Sequence, residues 1–242
     1  MAITFGSLFA GIGGLDLGLE RAGMECRWQV EIDDYAQRVL AKHWPDVRRH
    51  DDIRTWPQPG AERVDLICGG FPCQDISYAG QGAGLSGERS GLFYELIRVV
   101  REMEPRYVLL ENVAALLTRG LDDVLGTLAS LGYDAEWHCI PAAAVGAPHF
   151  RNRVFLIAYA AHVEHPVCPR FQGLYDARRG VSVQSIAEDV ARNVWHSTPR
   201  VCGRNPRVPA RVDRLRGLGN AVVPQVAEWI GRRIMESDCN QA

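Results

Sequence analysis

The chain has 242 residues, 47% of them hydrophobic and 23% charged, with a formal net charge of -2. That length suits one large domain, or one with a small companion, and buries roughly 70% of the surface of the unfolded chain. Disordered and fibrous classes are excluded, and no apolar run approaches the roughly 18 residues of a membrane span, so a soluble globular protein with no membrane partner is expected.

The apolar start over residues 3–19 has no basic flank and contains Asp16 and repeated glycines, so it reads as folded structure rather than a signal peptide. The 7 cysteines form no Cys-x-x-Cys pair and are odd in number, which points to a reducing compartment, the cytoplasm, and not to a disulfide framework. Charge is uneven. Residues 1–140 hold 13 basic against 21 acidic side chains, and residues 141–242 hold 14 basic, all arginine, against 8 acidic. A clustered basic half suits a polyanion, and a solvated arginine face that binds nothing fits the same counts.

Residues 3–9 read as a strand, followed by Phe9-Ala10-Gly11-Ile12-Gly13-Gly14 and a helix over 15–22. Glycines there let the backbone turn tightly and approach a ligand beside unpaired helix N–H groups; the turn could serve a dinucleotide, S-adenosylmethionine or no ligand at all. A second strand over 26–30 ends at Glu31, where an acid can meet ribose hydroxyls, and Asp51-Asp52-Ile53 follows the next presumed strand. Acids at successive strand ends suit the ribose and amino group of an adenosine. Ala36, Val39, Leu40 and His43 share one face of the helix between them.

A strand over 64–68 leads into Gly69-Gly70-Phe71-Pro72-Cys73-Gln74. Cys68 and Cys139 read as small buried hydrophobes, whereas Cys73 sits in a Gly/Pro loop near Gln74, Asp75 and Ser77, where a thiol is accessible and can be activated. Leu92, Leu96, Ile97, Val100 and Met103 form the next helical face, and the strand over 107–110 closes on Glu111-Asn112-Val113. Strand-end solvation explains such an acid, as does a proton donor whose pKa is raised by desolvation. Strands over 136–140 and 153–158 complete the set, with Arg151-Asn152-Arg153 ahead of the last. Two arginines at period 2 on an extended chain point the same way, as a clamp on an anion or carbonyl requires and as a surface ion pair also allows.

Residues 160–218 carry scattered prolines and arginines and read as an irregular lobe. His162, His165 and Cys168 are spaced like zinc ligands but lack a fourth, so no metal is expected. Gly217-Leu218-Gly219-Asn220-Ala221-Val222-Val223-Pro224 reads as a Gly turn entering the last helix, with Asn220 as its N-cap. Strands alternating with helices imply an α/β fold, a doubly wound and mostly parallel sheet. The expected organisation is a catalytic and cofactor-binding domain over 1–159, a small target-recognition lobe over 160–210 and a returning segment over 211–242.

In this order, FxGxGG, an acid after the second strand, GFPCQ, ENV, RxR before a strand and GNAVVP resemble the ordered motif set of the cytosine-C5 DNA methyltransferases. The resemblance covers residues 4–159 and 211–233. It implies a Rossmann-like fold, S-adenosyl-L-methionine as cofactor and double-stranded DNA as partner, with a cytosine flipped from the duplex. Cys73 would add to C6 of the base, making C5 able to attack the sulfonium methyl. Glu111 would protonate N3, Arg153 and Arg151 would stabilise the activated base, and Asn112 would orient loop and base. The cofactor would meet Phe9, Gly11, Gly13, Glu31, Ile32, Asp52 and Ile53, with Phe71, Pro72, Leu92, Asn220 and Val222 completing its pocket. A monomer is implied, with a restriction endonuclease of the same system as a candidate partner.

The sequence departs from the family pattern where Gln-x-Arg-x-Arg reads His149-Phe150-Arg151-Asn152-Arg153, where the stretch before Asn220 is shortened, and in its small recognition region. A transfer-RNA methyltransferase of the same family is the nearest rival. A non-catalytic relative would have no reason to keep Cys73 and Glu111, and a nicotinamide dehydrogenase would leave GFPCQ idle.

Overall fold

The structure is a computed structural model describing residues 2–72, 91–161 and 211–239. Cys73, the zinc-like triplet His162, His165 and Cys168, and the arginine-bearing lobe therefore lie outside the described residues. A seven-stranded sheet runs in the order β3-β2-β1-β4-β5-β7-β6. It is built from β1 (Thr4–Leu8), β2 (Glu25–Val30), β3 (Arg48–His50), β4 (Leu66–Gly69), β5 (Tyr107–Val113), β6 (Tyr133–Pro141) and β7 (Asn152–Ala160). Pairings through β5 are parallel, and β7 runs antiparallel to both β5 and β6. The expected α/β fold, doubly wound and mostly parallel, is what the chain adopts.

Helices α1 (Gly14–Arg21), α2 (Asp34–His43), α3 (Gly91–Met103), α4 (Leu121–Ser130), α5 (Arg211–Asn220) and α6 (Pro224–Cys239) surround it. The continuous apolar runs of the central strands follow from burial on both faces. Leu66, Cys68, Tyr107 and Leu109 pack towards Leu15, Leu19, Val226 and Ile230 of α1 and α6. Their alternates Ile67, Val108 and Leu110 pack towards Phe93, Leu96, Val100 and Val124 of α3 and α4. Neighbouring β1 and β4 send their chains to opposite faces, so their carboxyl ends open the crevice in which ligands of such sheets bind.

Two expectations are corrected. Residues 217–220 are the last turn of α5, not a turn into the final helix: Ala221 N donates to Gly217 O at 2.9 Å, continuing the helical ladder past both glycines. Asn220 thus ends a helix, and residues 211–218 do not belong to an irregular lobe. Helix α4 and the 3-10 segments Ile53–Thr55, Ala114–Thr118 and Ala142–Val145 had no clear sequence signal.

Beneath the first βα turn lies a closed polar cluster. Asp16 on α1 is fully buried and accepts from Gln29 Nε2 at 2.8 Å and Ser7 Oγ at 3.1 Å. Burial pushes its carboxyl up to about 6, against the lowering effect of those hydrogen bonds. The folded protein therefore holds this proton more tightly than the unfolded chain does. The contribution of Asp16 to stability is greatest below the unfolded pKa and declines as pH rises through about 4 to 6, by on the order of 3 kcal/mol. In Asp16→Asn the amide can keep the Gln29 bond and donate to a rotated Ser7 hydroxyl. Denaturant unfolding of both proteins between pH 3 and 8 is expected to show the variant gaining on wild type through that window, with a constant difference above it. A difference that does not vary with pH would refute the buried titration.

Candidate active site

The crevice at the ends of β1 and β4 widens into a cavity of about 730 Å³, within the range of small-molecule sites. Phe9, with φ 53°, turns the chain out of β1, and Gly13 N donates to Ala10 O at 3.0 Å to close the Gly-rich turn. Gly14 lies directly beneath the α5–α6 link: a Cβ there would sit 2.4 Å from Val222 O, so no side chain fits. Glu31, at the end of β2, ties this turn to the next loop. Its Oε2 accepts from Gly11 N at 2.7 Å and its Oε1 from Asp33 N at 2.8 Å, leaving a lone pair on each oxygen for a further donor.

One wall of the cavity is the 3-10 turn Ile53–Thr55, capped by Asp52, which accepts from Arg54 N at 3.0 Å. Hydrogen bonding to Arg54 holds the Asp52 carboxyl below the usual carboxylate range. The turn is fastened from outside the cavity by Arg98 on α3, which donates to Ile53 O at 2.7 Å and Trp56 O at 2.6 Å and pairs with Glu95 and Glu102. Sequence reasoning missed Arg98, because a basic residue on an amphipathic helix looks the same whether it meets solvent or a distant carbonyl.

On the opposite wall, Glu111 ends the apolar run of β5 and is 8% exposed. Arg153 reaches it because antiparallel pairing sets Val113 against Arg153 and Glu111 against Phe155, which places Glu111 and Arg153 diagonally on one face. Arg153 Nε stands 3.0 Å from Glu111 Oε1, an ion pair off the line of a hydrogen bond, so that buried oxygen has no hydrogen-bond partner among the described residues. Burial pushes the Glu111 carboxyl up to about 7, against the lowering charges of Arg153 and then Arg151. Asn112 is buried and donates through Nδ2 to Phe71 O at 3.2 Å, holding the loop two residues before Cys73. That loop crosses the acid closely, for a Cβ on Gly70 would lie 3.1 Å from Glu111 Oε2.

The cavity brings together Phe9, Gly11, Glu31, Ile32, Asp52, Ile53, Phe71, Pro72, Leu92, Asn220 and Val222 with Glu111, Asn112 and Arg153. Gly13 packs behind the turn against Trp44 and Leu40. The expected parallel pair of arginines does not form. Arg151 precedes β7 and has φ 28°, so the chain is not extended there and its guanidinium goes to Gly219 O and Ala221 O instead of the cavity. Tyr35 and Glu95 also line the cavity and had no motif to mark them.

The Type II methyltransferase M2.BsuMI of Bacillus subtilis (strain 168) is 37% identical over 160 residues, 63% of this chain and 41% of that protein. The Type II methyltransferase M.HhaI of Haemophilus parahaemolyticus is 34% identical over 161 residues, 65% of this chain and 49% of that protein. The chain thus spans less than half the length of either relative. Among solved structures, S. pombe Dnmt2 methyltransferase superposes with a TM-score of 0.58 at 21% identity, covering 70% of this chain and 55% of that one, a likeness of fold. The family model of C-5 cytosine-specific DNA methylases matches residues 3–210, and the chain belongs to that family.

Proposed function

We propose that the protein is a DNA (cytosine-5-)-methyltransferase that uses S-adenosyl-L-methionine and works on a cytosine flipped from double-stranded DNA. The observation that carries this reading is a buried acid, Glu111, ion-paired with Arg153 on the wall of a cavity whose other walls suit an adenosine. The residues fit the cofactor: Glu31 keeps a free lone pair on each oxygen, the position of a Cβ on Gly11 is open space, and the volume is adequate. Phe9, Glu31, Ile32, Asp52 and Ile53 would hold its adenosine, and Asn220 and Val222 would close over it. When bound, the cofactor supplies an electrophilic methyl group on its sulfonium.

The chain's own residues then divide the work. The Cys73 thiolate adds to C6 of cytosine, because the ring is too electron-poor at C5 to take a methyl cation directly. Glu111 carries a proton near neutral pH and donates it to N3 as charge develops there, which makes C5 enamine-like. Arg153, held beside Glu111, stabilises the activated base. Asn112 keeps the Cys73 loop in register through Phe71 O. After transfer a base or water takes the C5 proton, the C5–C6 double bond re-forms and Cys73 leaves as its thiolate, while the N3 proton returns to Glu111. Residues 160–210 are assigned to reading the DNA, with their arginines on phosphates and a few base edges. Among the described residues no helix is long and apolar enough to cross a membrane, and a cytoplasmic location suits DNA modification.

Three measurements test the reading. Calorimetry should find stoichiometric binding of S-adenosylmethionine in preference to NAD; binding of NAD alone would overturn it. Cys73→Ala should abolish transfer, and wild type should form a denaturation-resistant adduct on 5-fluorocytosine DNA, since fluorine cannot leave as a cation; an adduct on Cys68 would reassign the nucleophile. The turnover rate should fall as pH rises through about 7, because the donor form of Glu111 is then lost. Glu111→Gln should remove that descending limb and lower turnover by about 100-fold or more while changing cofactor affinity little. A variant that keeps the same limb would free Glu111 of the role.

A further inference from the structure

Arg151 lies two residues before Arg153 in the chain, but its guanidinium goes to the α5–α6 link and not to Glu111. Its Nη1 donates to Gly219 O and its Nη2 to Ala221 O, each at 2.8 Å. These carbonyls end α5, where the last turn of a helix has no internal donors and carries the negative end of the helix dipole, so a forked cation is well matched to them. They also flank Asn220 and adjoin Val222, both of which line the cavity. The link is confined from the other side too, since Val222 O lies 2.4 Å from where a Cβ on Gly14 would be. Residues 219–222 are thus held between the Gly-rich turn and one guanidinium. That guanidinium comes from the residue just before β7, the strand that carries Arg153 to Glu111.

We propose that Arg151 is a positioning residue for the cofactor: it clamps the α5–α6 link down on the Gly-rich turn, so that the closing wall of the cofactor cavity is fastened to the same strand entry that places Arg153 on Glu111. This rests on reading the cavity as the S-adenosylmethionine site. It assigns Arg151 a different task from Arg153, whose guanidinium faces the cavity. The φ of 28° at Arg151 supports the assignment, because a backbone held in that sparsely populated region sends the two side chains of Arg-x-Arg to different targets.

The test uses the full chain and S-adenosylmethionine without DNA, so that affinity is read apart from chemistry. Arg151→Met should weaken binding by about tenfold or more, as loss of two charge-assisted hydrogen bonds implies, and Arg151→Lys, which can reach one carbonyl but not both, should recover part of it. Combining Arg151→Met with Asn220→Ala should cost little more than the larger single change, because both act through one link. With DNA present, KM for the cofactor should rise in Arg151→Met. Wild-type binding of S-adenosylmethionine tests the cavity reading, and the ratio of variant to wild type tests the clamp. Unchanged affinity in Arg151→Met with reduced turnover would make Arg151 a base-contacting group and overturn the proposal, as would effects of the two substitutions that simply multiply. Should thermal unfolding find the Met variant unfolded, Arg151→Lys decides: affinity equal to wild type overturns the clamp, and a loss of about threefold or more supports it.

Discussion

Everything at the candidate site depends on keeping a carboxyl group in a place that water would not choose for it. Glu111 ends a strand whose preceding residues, from Tyr107 to Leu110, are all buried, and its own side chain is nearly so. An ionised carboxylate there loses most of its hydration, and one arginine at 3.0 Å offsets that loss only in part. The balance leaves the acid poised near neutrality. A well-aligned hydrogen bond to Oε1 would favour the charged form and lower the pKa, so the off-line approach of Arg153 is as much a part of the acid as the carboxyl itself.

Asp16 applies the same physics to a different end. It too is buried and raised, but its oxygens are met by Gln29 and Ser7 inside a closed cluster under α1. Ser7, Asp16 and Gln29 do not line the cavity described above, and the cluster holds α1 against β1 and β2. Two acids with similar displacement of pKa thus differ in what surrounds them, and the geometry, not the shift, separates a site from a structural network.

The legibility of the sequence follows from how local each signal is. Strands β4 and β5 were readable because burial on both faces demands nearly unbroken apolar runs, and the Gly-rich turn and the acids at strand ends were readable because chain topology brings them to one edge. The residues of the expected cofactor pocket were named from the family resemblance, and all but Gly13 line the cavity. What was not readable depends on distant partners or on single dihedral angles. Whether Gly217 and Gly219 turn or continue a helix is decided by the hydrogen bond that Ala221 makes to Gly217, and whether Arg151 follows Arg153 is decided by one φ value. Helix α4 was hidden because Gly126 lies inside it and its apolar face, Leu121, Val124 and Leu128, is short.

The arginine content of the chain pointed equally to polyanion binding and to a solvated surface, and the described arginines show a third use. Arg98 holds Ile53 O and Trp56 O, Arg63 donates to Met103 O at 3.1 Å, and Arg151 holds Gly219 O and Ala221 O. Each joins elements far apart in sequence through main-chain carbonyls at or near the ends of helical segments. A lysine would serve such a place poorly, since it offers one point charge where a planar fork meets two carbonyls at once. The cavity is shaped accordingly. Arg98 on one side and Arg151 on the other fasten two of its walls, the 3-10 turn after β3 and the link after α5. Selection on either arginine would leave no trace in a census of residues that touch the cavity.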